Sequence, residues 1–197
     1  MSKTRLEAFS DGVIAIVITV MVLELRTPHG TGLAALRPLL PVFLAYVLSF
    51  VNLGIYWNNH HHMLHAAGRV DGAVLWANLH LLFWLSLFPF TTAWLGENHA
   101  AALPAAAYGV VALFAAIAYW VLQGRIIALE GPQSTLALAV GGDLKGRLSP
   151  LCYAAGVGMA FVQPWVSIGL YVAVALLWLV PDRRVERQLA RGEGRRP

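Results

Sequence analysis

Arg5-Leu6-Glu7-Ala8-Phe9-Ser10-Asp11-Gly12 runs straight into Val13-Ile14-Ala15-Ile16-Val17-Ile18-Thr19-Val20-Met21-Val22-Leu23, and Glu24 closes the run. Only 12 residues, 12–23, separate the flanking acids Asp11 and Glu24. A helix facing lipid on every side needs about 20 apolar residues. This one is better placed inside a bundle or beside water, where ionisable groups of membrane segments are paired.

Glu7 and Asp11 stand four residues apart, on one face of a helix, where like charges repel. Arg5 lies six residues from Asp11 and cannot answer it along the same helix. The partner of Asp11 must come from another helix or another subunit, with Asn78, His80 and the histidines near His60 as candidates. Two readings stay open for Ser10 and Asp11: a buried polar network that fixes helix packing, or a direct role with ions or protons. On nearly the opposite side, Gly12, Ile16, Thr19 and Leu23 follow the i, i+4, i+7, i+11 spacing of one helical face. From spacing alone that stripe reads as packing.

Outward from this helix, composition sets the class. Of 197 residues, 58% are hydrophobic and 12% charged, with a mean hydropathy of +0.65. A soluble domain is about 45–50% apolar and about 25% charged, and disorder needs low hydrophobicity. Both are excluded in favour of a polytopic membrane protein. Six apolar segments are expected, over residues 5–25, 38–60, 72–95, 104–127, 148–162 and 165–180. The last two are parted only by Gln163 and Pro164, which predicts a tight helical hairpin. A weaker run, 136–140, belongs to none of them. Residues 1–181 are read as one six-helix domain and residues 182–197 as a basic cytoplasmic tail.

Positive charge orients the segments. With a cytoplasmic N-terminus and six crossings, 12 of the 14 Lys and Arg fall on the cytoplasmic side, leaving only Arg26 and Arg37 opposite. The net charge of +4 is then an orientation signal. The tail interleaves Asp182, Glu186 and Glu193 with its arginines, which suits contact with anionic lipid. No recognition motif presents it to nucleic acid.

The run Arg5-x-x-x-Phe9-Ser10-Asp11, opening a first membrane helix, resembles the signature of the transmembrane protein 175 family of potassium channels. Tyr56-Trp57-Asn58-Asn59-His60-His61 looks like that family's aromatic–histidine segment. Animal members carry two such repeats, and prokaryotic members carry one and assemble as tetramers. The resemblance therefore implies a homotetramer whose first helices surround a central pore. Arg5, Phe9, Ser10 and Asp11 would hold those helices in place. Counted without gaps from Asp11, the family's pore positions fall on Ile16, Thr19 and Leu23. Bulky aliphatic rings at Ile16 and Leu23 would form a hydrophobic constriction, a recognised gate by dewetting. The family lacks a carbonyl-type selectivity filter, and this chain holds no Thr-Val-Gly-Tyr-Gly loop. Gly156-Val157-Gly158 reads as helix packing instead.

The remaining features are weaker. His60, His61, His62 and His65 suggest a metal cluster, but no carboxylate or cysteine stands at a suitable spacing. The ordinary reading is an interfacial helix end. Cys152, the single cysteine, excludes an internal disulfide. No nucleophile–base pair, phosphate loop or nucleotide motif appears, so the chain is not read as an enzyme. The expectation is an all-α, six-span channel subunit of the cell membrane, passing potassium and needing no cofactor. Its partners are further copies of itself and the lipid bilayer. The alternatives are a proton-coupled secondary transporter and a non-conducting membrane scaffold.

Overall fold

A computed structural model of the protein describes residues 2–140 and 144–179, without the side chains of residues 139 and 144. Every regular element among them is a helix. The basic tail and the 141–143 link, on which part of the sequence reading falls, lie outside the described residues.

Helix α1 spans Lys3–Leu23, and the Ser2 hydroxyl accepts a hydrogen bond from the Arg5 N–H at its start. After a 3₁₀ turn over Leu33–Leu39, α2 runs from Leu40 to Ala66 with Pro41 in its first turn, where the missing N–H costs nothing. It carries the histidines inside a continuous helix, beyond the end expected at residue 60. The third apolar segment is not one rod. It breaks at Leu87 into α3 (Gly72–Ser86), capped by Asp71, and α4 (Phe88–Glu97). Pro89 supplies the physical cause, because its nitrogen cannot donate and its ring crowds the preceding turn.

Helix α5 (Ala102–Glu130) is the longest and ends at Gly131, whose φ of 96° a side chain would resist. The unassigned run proves to be a short helix, α6 (Thr135–Val140). Helix α7 covers Leu144–Ala160 with Pro150 inside, starting earlier than expected, and α8 covers Pro164–Leu179. The α7–α8 pair forms the hairpin that Gln163 and Pro164 predicted.

Four stretches are long and apolar enough to cross a membrane: Lys3–Leu23, Leu33–Ala66, Gly72–Glu97 and Ala102–Glu130. The apolar α8, at 16 residues, is shorter. Polar ties show which helix ends lie together. Lys3 Nζ donates to the His65 carbonyl (3.1 Å), and the Gly68 and Arg69 N–H groups both donate to Glu130 Oε1 (3.1 Å). Trp178 Nε1 donates to Ser149 Oγ (2.8 Å), joining the end of α8 to the early part of α7. At the other end, Arg26 pairs with Glu97 (2.9 Å), and Tyr171 Oη donates to the Ala105 carbonyl (3.2 Å). Helix α5 is the hub of the subunit, with half of its apolar window buried, whereas α1 and α2 lie at its edge with 28% and 22% buried.

Candidate functional site

Helix α1 sorts its residues onto two faces. Leu6, Ser10, Ile14, Val17 and Met21, at spacings of three and four, are buried against the subunit. Gly12, Ile16, Thr19 and Leu23 are all exposed on the other face, Ile16 by 62% and Leu23 by 78%. The Thr19 hydroxyl donates to the Ile16 carbonyl at 2.9 Å. Its proton is thereby committed to the helix, and its oxygen lone pairs are what the exposed face presents.

The signature residues divide between the two faces. Ser10 is fully buried, and its hydroxyl donates to the Leu6 carbonyl (2.8 Å). With that proton used, Ser10 Oγ can only accept, and it does so from Asn78 Nδ2 at 2.9 Å. The Asn78 amide is thus oriented, so its Oδ1 accepts from His60 Nε2 at 2.7 Å. His60, Asn78 and Ser10 form a one-directional buried chain across α2, α3 and α1. His60 must carry its proton on Nε2 to complete it.

Asp11 is only partly buried, and its partner is Trp57, whose Nε1 donates to Oδ1 at 3.0 Å. None of the anticipated candidates answers it: Asn78 donates to Ser10, His60 donates to Asn78, and His80 accepts from Trp84 Nε1 at 3.0 Å. Helical phase explains the shift. One residue along a helix is a turn of about 100°, so Ser10 points into the bundle while Asp11 reaches toward α2. Trp57 stands in the quoted aromatic–histidine segment, but no spacing in the sequence marks its indole N–H as the donor to Asp11. Glu7 pairs with Lys3 at 3.8 Å, and Arg5 and Phe9 are exposed, Phe9 by 49%.

Beyond Trp57 the rings of His61 and His65 continue a stack, at 6.2 Å and 6.1 Å between successive centroids. Among the described residues, no three His, Cys, Asp or Glu groups converge as a metal site. A second polar chain lies nearer the other end. Ser49 Oγ sits 2.6 Å from Thr92 Oγ1 and donates to Tyr108 Oη (3.2 Å), which also accepts from Asn52 Nδ2 (3.0 Å). Thr92 Oγ1 contacts Met21 Sδ of α1 at 3.9 Å. Hydrogen-bonded groups thus hold the buried face of α1 at both ends.

Long apolar helices tied by buried polar chains, with few charges along them, define a polytopic helical membrane protein. Comparison with known proteins sharpens that class. Residues 5–89 match the family model described as the endosomal/lysosomal potassium channel TMEM175. A protein of Chryseobacterium sp. (strain P1-3), named a potassium channel, is 52% identical over 189 residues, covering 96% of this chain and 98% of its own. Another so named, from Streptomyces collinus (strain DSM 40733 / Tue 365), is 34% identical over 185 residues, covering 88% and 90%. The crystal structure of a lysosomal potassium-selective channel TMEM175 homolog from Chamaesiphon minutus superposes with a TM-score of 0.78 at 31% identity. It covers 91% of this chain and 97% of that one. The chain belongs to the TMEM175 family.

Proposed function

We propose that the protein is a potassium-permeable cation channel subunit, with the ion path along the exposed face of α1. The observation that carries this reading is the sorting of α1: a stripe of Gly12, Ile16, Thr19 and Leu23 left uncovered by its own subunit, in a chain whose bacterial relatives, matched over nearly their whole length, are named potassium channels. In water such a face would be hidden; in a bilayer it faces lipid or another copy. Thr19 argues for the second, since a polar oxygen gains nothing from lipid.

In this reading the chain crosses the cell membrane six times, with both termini cytoplasmic, and α7 and α8 complete the count. Residues 1–181 form one channel domain, and the tail, 182–197, meets anionic lipid. Four copies place four α1 helices around an axis. Ile16 and Leu23 narrow the path and exclude water from it, while Thr19 oxygens contact a partly dehydrated ion. Ser10 and Asp11, through Asn78–His60 and Trp57, hold the helix at the angle that turns this face inward. Arg5 and Phe9 lie exposed at the same end and are available to a neighbouring copy. Potassium is the permeant species, and no cofactor is needed.

Bilayer recording of purified protein, with potassium on one side and sodium on the other, tests the reading. Ile16→Asn and Leu23→Asn hydrate the constriction and are expected to raise the current. Flux locked to a proton gradient would mark a coupled transporter. Absence of any ion flux would mark a scaffold.

A further inference from the structure

A cavity of about 50 Å³ lies among α2, α5, α7 and α8, and no residue of α1 lines it. Its walls are aromatic rings, amides and hydroxyls, and among the described residues they include no Asp, Glu, Lys, Arg or His. Three of these polar side chains lack a partner among the described residues. Tyr153 is 3% exposed and Gln123 7%, and neither of them, nor Tyr56, makes a side-chain hydrogen bond among the described residues. Elsewhere the walls are satisfied: Ser149 Oγ donates to the Lys145 carbonyl and accepts from Trp178 (both 2.8 Å).

Buried polar groups almost always find a hydrogen-bond partner, if not in the protein then in a bound molecule. Among the described residues, an ion here would find no counter-charge in a low-dielectric interior. The volume admits about three to five water molecules, or one guest of equal bulk. We propose that the cavity is a binding site for a small uncharged hydrogen-bonding guest, water molecules or a short alcohol, seated on Tyr56, Gln123 and Tyr153 and separate from the ion path. The guest sits against Asn52, and so at one end of the Asn52–Tyr108–Ser49–Thr92 chain that reaches Met21 of α1.

Hydroxyl-radical footprinting of the full chain in lipid nanodiscs, read residue by residue by mass spectrometry, tests this. Radicals made from bound water oxidise the rings beside it. Tyr153 is expected to react several-fold faster than Tyr108 and Tyr171, which are as deeply buried but outside the cavity walls. Ala116→Met fills the space and should bring Tyr153 down to their rate. Equal rates for the three tyrosines in the unmodified chain would overturn the proposal, whether or not the variant folds. Fluorine saturation-transfer NMR with trifluoroethanol then separates the guests. Transfer abolished by Ala116→Met identifies a site that admits alcohol, and its absence from the start assigns the site to water.

Discussion

Ser10 is a single hydroxyl on which three helices are registered. Its proton goes to Leu6, its lone pair receives Asn78, and Asn78 in turn receives His60, all with the serine fully buried. Ser10→Ala removes only one atom but leaves the Asn78 amide without an acceptor, a loss of about 1–3 kcal/mol for a buried donor. The expected outcome is a lower thermal midpoint in detergent, largely restored by Ser10→Thr, whose hydroxyl keeps both roles. Trp57→Phe, which deletes the donor to Asp11, should cost less, because Asp11 and Trp57 both keep contact with solvent. A larger loss for Trp57→Phe than for Ser10→Ala would invert this ranking.

At the scale of elements, α5, α7 and α8 meet through one aromatic ring. Tyr171 of α8 lies against the bare backbone of Gly109 and Gly156, where a Cβ on either would collide with its ring or hydroxyl. The Gly156-Val157-Gly158 motif was legible as helix packing, but spacing could not say which glycine was packed. Gly156 faces Tyr171, while a Cβ on Gly158 meets nothing within 4 Å. Gly156→Ala should therefore overpack the interface by about 1–3 kcal/mol. Gly158→Ala should be neutral or stabilise α7 by up to about 1 kcal/mol, as alanine is the better helix former. Parallel thermal melts check the assignment: the Gly156→Ala midpoint falls, while that of Gly158→Ala holds or rises. The same limit applies to the break at Leu87. Pro89 was plain in the sequence, yet hydropathy ran through it, and only the backbone accounting of the two helix ends divides α3 from α4.

For the whole molecule, α1 is covered poorly by its own subunit, with 28% of its apolar window buried against 50% for α5. Most of what was legible at this scale came from periodicity: α1 buries Ile14 and Val17 and exposes Ile16 and Leu23, as a 3.6-residue repeat with two unlike faces requires. The partner of Asp11 was not legible, because it depends on how α2 is rotated about its axis, and no spacing within α1 carries that information. The exposed face makes a last prediction about assembly. If copies of α1 surround one axis, cysteines on that face approach their counterparts, and cysteines on the buried face cannot. In a Cys152→Ser background, which removes the native thiol, Ile16→Cys and Leu23→Cys are expected to form covalent dimers under mild copper-catalysed oxidation in membranes. Ile14→Cys, at 0% exposure, should stay monomeric on the same gel. Cross-linking at Ile14 alone, or at none of the three positions, would place α1 away from the axis and move the ion path to another helix.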